Sequence, residues 1–215
     1  MPEALLRVEG ICKHFAGLLA LDHASFLVER GSITALIGPN GAGKTTLFAI
    51  ISGFLPPDAG LIIYAGTEIT GAPPHRLARR GIARTFQIVQ PFGGLTVAEN
   101  IAVGCHLVQR RAADLTLAAL KRLELARALA IEPRLLLLDE VLAGLNPSEI
   151  ADVLPLIRAI RDRGTTIILI EHVMQAVMSL ADKVLALAEG RIIANGAPRH
   201  GFRGQSRHRQ GRQRP

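Results

Sequence analysis

Gly38-Pro39-Asn40-Gly41-Ala42-Gly43-Lys44-Thr45 has a glycine, four intervening residues and then Gly-Lys-Thr, the spacing of a phosphate-binding loop. Glycines let a backbone curl tightly enough for successive N–H groups to face phosphate oxygens. Lys44 adds a positive charge for the β and γ phosphates, and the Thr45 hydroxyl is placed to hold Mg²⁺. The flanks agree. Ser32–Ile37 is a short apolar run of buried-strand type, and Thr45-Thr46-Leu47-Phe48 opens a helix whose first turn favours anions. A glycine-rich turn that binds nothing would not need this strand, loop and helix order.

A phosphate loop requires a second strand that ends in an acid. Leu135-Leu136-Leu137-Leu138 followed by Asp139-Glu140 supplies one. Two adjacent buried carboxylates repel each other unless a cation sits beside them. Asp139 is therefore read as a Mg²⁺ ligand and Glu140 as the group that polarises an attacking water. Downstream, Asn146 is placed to cap a helix, with Pro147 at its first position and Glu149 able to close a capping box. Ile150, Val153, Leu154, Ile157 and Ile160 fall on one face of that helix. Thr166–Ile170 reads as another buried strand. Toward the N-terminus, Leu5–Glu9, Ser25–Val28 and Leu61–Tyr64 read as strands, the last after the turn Pro56-Pro57-Asp58-Ala59-Gly60. The expected fold is an α/β P-loop domain with a parallel core sheet and an antiparallel N-terminal sheet.

Composition bounds the partners. The 215 residues are 49% hydrophobic, enough for a core, yet no apolar run approaches the ~18 residues that span a bilayer. Residues 1–13 lack a signal-peptide layout, so a cytoplasmic location is expected. Cys12 and Cys105 are too few for a disulfide framework or a zinc site of the usual spacing, and read as reduced thiols. The net charge of +7 is concentrated beyond residue 198, where six arginines and no acid occur. This tail, 199–215, is expected to be disordered and solvated rather than a nucleic-acid or lipid contact.

The chain resembles the ATP-binding proteins of ABC transporters, and within them those of branched-chain amino acid importers. The resemblance runs from about Leu6 to Pro198 and rests on several stretches: Gly81–Gln87, Leu95–Asn100, Arg122–Ala130, Ala143–Pro147 and Glu171–Met174. It implies ATP and Mg²⁺ as ligands, with Gly38, Pro39, Asn40, Gly41, Ala42, Gly43, Lys44, Thr45 and Thr46 around the phosphates. Phe15 matches the aromatic residue that stacks on adenine. Gln87 matches the glutamine that reaches Mg²⁺ and the attacking water, and His172 the histidine that contacts the γ-phosphate. Glu140, His172 and Gln87 are then the catalytic set, and Thr45, Gln87 and Asp139 the metal set. The resemblance also implies a second ATP-binding subunit, identical or different, facing this one across two ATP molecules. Permease subunits would hold the pair peripherally at the cytoplasmic face of the cell membrane.

Two departures from the family pattern stand out. At the signature Leu-Ser-Gly-Gly-Gln, this chain has Leu115-Thr116-Leu117-Ala118-Ala119. Thr116 keeps a hydroxyl for the partner's nucleotide, whereas Ala118 and Leu117 place Cβ atoms where glycine would let backbone approach phosphate. The segment between Gln87 and Leu115 is also short, so the helical subdomain (about 88–130) is expected to be reduced within a domain spanning 1–198. Natural shortening and a truncated or frame-shifted gene both fit. The leading expectation is an ATPase subunit of an amino-acid importer, its activity lowered by these changes. The alternatives are a degenerate ATP-binding partner with little hydrolysis, or a soluble ABC protein acting on nucleic acid.

Overall fold

The computed structural model describes residues 3–85 and 116–198. Two sheets organise them. The first is antiparallel, in the order β2-β1-β4-β5, with β1 at Ala4–Phe15, β2 at Leu18–Glu29, β4 at Ala59–Tyr64 and β5 at Thr67–Glu68. The second has six strands in the order β10-β9-β3-β8-β7-β6. It comprises β3 (Ile33–Ile37), β6 (Ile82–Arg84), β7 (Leu135–Asp139), β8 (Thr166–Ile170), β9 (Lys183–Ala188) and β10 (Arg191–Gly196). All its neighbours pair in parallel except the terminal β9–β10 hairpin.

The central strands β3, β7 and β8 are apolar except at Thr34, Asp139 and Thr166, because both faces are covered. Leu135, Leu137, Ile168 and Ile170 point into one core, shared with the antiparallel sheet and helix α1 (Lys44–Ile51). Leu136, Leu138, Ile167 and Leu169 point into the other, which α3 (Leu117–Leu129), α4 (Pro147–Asp162) and α5 (Met174–Leu180) close. Each fully buried leucine or isoleucine contributes about 1.5–3 kcal/mol relative to exposure. A short helix, α2 (Pro74–Arg79), precedes β6. The Asn146 box forms as its spacing predicts: Glu149 N donates to Asn146 Oδ1 at 3.0 Å, and Asn146 N donates to Glu149 Oε2 at 2.9 Å. Helix α4 then continues through Pro155, with Val153, Ile157 and Ile160 buried.

The topology gathers the loops of interest. Leu36 of β3 and Asp139 of β7 both sit beside Ile170 of β8, so the carboxyl ends of three adjacent strands are level. From those ends emerge the 38–45 loop, the Asp139-Glu140 pair and the Glu171-His172 pair. Crevices at such strand ends are where open α/β sheets bind ligands.

Candidate functional site: a phosphate loop facing an acidic strand end

The turn from β3 into α1 is shaped by close backbone packing. A Cβ on Gly38 would lie 2.1 Å from the carbonyl oxygen of Leu187, and one on Gly43 would lie 2.5 Å from that of Ala20. Gly43, at φ 101°, forms the N-cap of α1 without any side-chain hydrogen bond, and the first turn of the helix holds no acid. The leading N–H groups of α1 are thus not taken up by a cap. They leave a positive helix end facing the cleft. Ala42 is tied down separately, its N–H donating to Pro39 O and its carbonyl accepting from Gly190 N.

Lys44 is buried, and its ammonium donates to Gly38 O at 2.8 Å and Pro39 O at 2.9 Å. Two of its three donors therefore brace the loop. Burial lowers its pKa, partly offset by the negative charges of Glu140 and Asp139. One cleft of about 490 Å³ is lined by Phe15, Asn40, Gly41, Gly43, Lys44, Thr45, Thr46 and Glu140, together with Leu18, Leu19 and Ala20. Phe15 stands at its edge, 44% exposed, which is far more than a core phenylalanine would be.

On the facing side, Glu140 adopts φ 50°, a left-handed turn immediately after β7. That turn presents its carboxylate to His172, with Oε1 and Nε2 2.9 Å apart. For the carboxylate to accept, Nε2 carries the ring proton. Asp139 is buried, and its Oδ2 accepts from Arg84 Nη2 at 2.8 Å, leaving Oδ1 for another partner. Arg84 also reaches Ser52 Oγ at 3.3 Å and lies 5.8 Å from the Phe48 ring, so α1 fixes the guanidinium.

Sequence reasoning missed three contributors. Arg84 is one. Lys121 on α3 is the second, donating to the Glu140 carbonyl at 3.2 Å. Glu171 is the third: it is buried, and its carboxylate accepts from Leu142 N at 2.8 Å, which clamps the 140–146 turn against β8. Desolvation raises its pKa, against the backbone hydrogen bonds from Leu142 and His172. An acid adjoining His172 was visible in the sequence, but nothing local signalled its partner.

Thr116 and Ala118 are not among the residues lining this cleft. Thr116 is the N-cap of α3, its hydroxyl accepting from Ala119 N at 3.3 Å, and Ala118 is buried. The start of α3 packs near Gly144, where an added Cβ would meet Leu117 Cδ2 at 3.0 Å. Gln87, the segment 88–115 and the tail 199–215 lie outside the described residues.

A glycine-lysine loop opening a helix, beside a parallel strand that ends in two acids, defines a P-loop nucleotide-binding fold. The ABC transporter family model matches residues 21–121. The chain is 36% identical to the high-affinity branched-chain amino acid transport ATP-binding protein BraF of Pseudomonas aeruginosa, over 92% of this chain and 93% of that protein. It is 34% identical to a probable branched-chain amino acid transport ATP-binding protein LivG of Archaeoglobus fulgidus, over 89% of each. Among solved structures, it matches a nucleotide-free ATP-binding cassette from an ABC transporter with TM-score 0.85 and 31% identity, covering 91% of this chain and 92% of that one. It also matches an ATP-binding cassette in its ADP conformation, with TM-score 0.84. The chain belongs to the ATP-binding proteins of ABC transporters.

Proposed function

We propose that this protein hydrolyses ATP to drive an importer of branched-chain or other hydrophobic amino acids. The observation that carries the reading is the uncapped start of α1 sharing one cleft with Glu140, whose carboxylate pairs with His172. Loop amides and Lys44 would bind the phosphates, and Phe15 would stack on the adenine. Thr45, Asp139 through Oδ1 and Gln87 would hold Mg²⁺, which when bound neutralises phosphate charge. Glu140 takes the proton of the attacking water, and His172 orients that carboxylate and reaches toward the γ-phosphate. Lys121 and Glu171 act at one remove, holding the Glu140 carbonyl and the Leu142 N–H of the turn that follows it.

The relatives' names support amino-acid transport as the process. A second ATP-binding subunit would complete each site, and permease subunits would hold the dimer at the cytoplasmic face of the membrane. Among the described residues no helix is long and apolar enough to cross a bilayer, so membrane contact would pass through the permease. The domain is taken as 1–198 with a reduced helical part (about 88–130) and a basic tail at 199–215. Its alignment with the Pseudomonas relative is 238 positions long, more than the 215 residues here, so that relative carries stretches without a counterpart.

Calorimetry should detect magnesium-dependent ATP binding, and the protein should co-purify with a permease when ATP is present. Absence of magnesium-dependent binding by folded protein would sink the proposal. A second reading, an ATP-binding partner with little hydrolysis of its own, draws on the side chains of Leu117 and Ala118. Thr116 still has its hydroxyl proton to donate, so the two readings differ in a measurable quantity. ATP turnover by the isolated chain against turnover with a related subunit decides between them.

A further inference from the structure

Away from the nucleotide cleft, the β1–β2 hairpin carries a second cluster of chemistry. Its pairing register shifts just before Cys12, between Val8 and Ile11, across it, between Ile11 and Lys13, and just after it, between Lys13 and His14. Opposite, His23 lies at φ 50° within β2. Successive strand side chains normally point to opposite faces. The left-handed turn at His23 cancels that alternation and brings its ring beside the preceding residue, with Nδ1 2.7 Å from Asp22 Oδ1. The same turn aims the His23 N–H at Cys12 Sγ, 3.4 Å away. One sulfur, one carboxylate oxygen and one ring nitrogen from Cys12, Asp22 and His23 all lie within 4.8 Å of one another.

We propose that Cys12, Asp22 and His23 bind a divalent transition-metal ion of the zinc class. Thiolate, imidazole and carboxylate together form a donor set that suits such a cation and not a hard one such as Mg²⁺. The surroundings are organised to hold it. Arg191 Nε donates to Asp22 Oδ2 at 2.6 Å and fixes the carboxylate, so Oδ1, which pairs with His23 Nδ1, is the oxygen that turns to the metal when the ion replaces the proton shared by that pair. Cys12 is buried, while the His23 side chain is 80% exposed, so the ion enters from the histidine side and keeps room for water as a further ligand. Asp22 N donates to Gly190 O, and Gly190 N donates to Ala42 O, so two backbone hydrogen bonds connect the cluster to the phosphate loop. The proposal is independent of the transport reading.

The test uses the full, tag-free chain carrying Cys105→Ser, without nucleotide, titrated with Co²⁺ as a spectroscopic stand-in. A thiolate-to-cobalt charge-transfer band should appear, saturate at one ion per chain and be displaced by Zn²⁺ but not by excess Mg²⁺. Adding Cys12→Ala should abolish the band while the circular dichroism stays unchanged. His23→Asn, which tolerates the left-handed backbone, should weaken Co²⁺ binding on the order of tenfold or more. A missing band in Cys105→Ser, or a band that survives Cys12→Ala, overturns the assignment. If Cys12→Ala does not fold, unchanged affinity in His23→Asn overturns it instead.

Discussion

Helices α1 and α4 begin in opposite ways. The start of α4 is closed by its own side chains, Asn146 and Glu149 satisfying each other's backbone N–H groups. The start of α1 has a glycine N-cap, no side-chain cap and no acid in its first turn. The first arrangement stabilises the fold. The second leaves donors and dipole for a ligand and relies on surrounding backbone to hold its shape. Helix α3 falls between them, capped by Thr116 through a hydroxyl that still has a proton to donate. Within one chain, the way a helix starts separates scaffold from site.

The largest effect should come from the acid facing the open helix. Glu140→Gln keeps the size of the side chain and removes the base, so ATP turnover should fall about 10³-fold while Mg-ATP affinity is retained. Turnover near the parent's value would show that the cleft works without it. Next is the loop itself. Gly43→Ala pushes a methyl group against Ala20 O and Leu21 Cδ2 at a positive φ, and should destabilise on the order of 3 kcal/mol and weaken nucleotide binding. Gly41→Ala meets nothing within 4 Å and should cost only the left-handed strain, about 1–2 kcal/mol. Equal denaturant midpoints for the two variants would refute the moulding of the loop by its neighbours. On the capped side, Asn146→Ala should lose about 1 kcal/mol in chemical denaturation and leave nucleotide affinity unchanged.

The smallest effect is at the rim beside Phe15. Asp58 accepts from Lys13 Nζ and from His14 N, both at 2.6 Å, and these contacts lower its pKa from 3.8 to about 2. A carboxylate whose folded pKa is depressed contributes stability above its unfolded value and loses it as pH falls through the folded one. The small Tm advantage of the parent over Asp58→Asn should therefore be steady above pH 5, shrink between about pH 4 and 2, and vanish below. A gap that did not change with pH would assign the contribution to packing.

What could be read from the chain alone was what is encoded within a few residues. The phosphate loop, the leucine run ending at Asp139 and the Asn146 capping box are local patterns, and their elements formed as expected. The contacts that aim the site are long-range. Arg84 and Asp139 are 55 residues apart, Lys121 and Glu140 are 19 apart, and Leu142 and Glu171 are 29 apart. No periodicity specifies such pairs, because each depends on which strands become neighbours. The left-handed turns at His23 and Glu140 were equally hidden, since most histidines and glutamates, like other non-glycine residues, keep a negative φ. Cys12 reads as a reduced thiol and is a free, buried cysteine in the structure; its closeness to Asp22 and His23 depends on the hairpin register, which no local pattern carries.

The near-contact of Gly38 with the Leu187 carbonyl has a consequence for how the molecule comes into being. The phosphate loop is cast against a strand made about 150 residues later, so a nascent chain carries the motif long before it carries the cradle. Only after β9 has docked beside β3 does the glycine turn have the wall that shapes it, so capture of a ligand by that turn would report completion of the sheet.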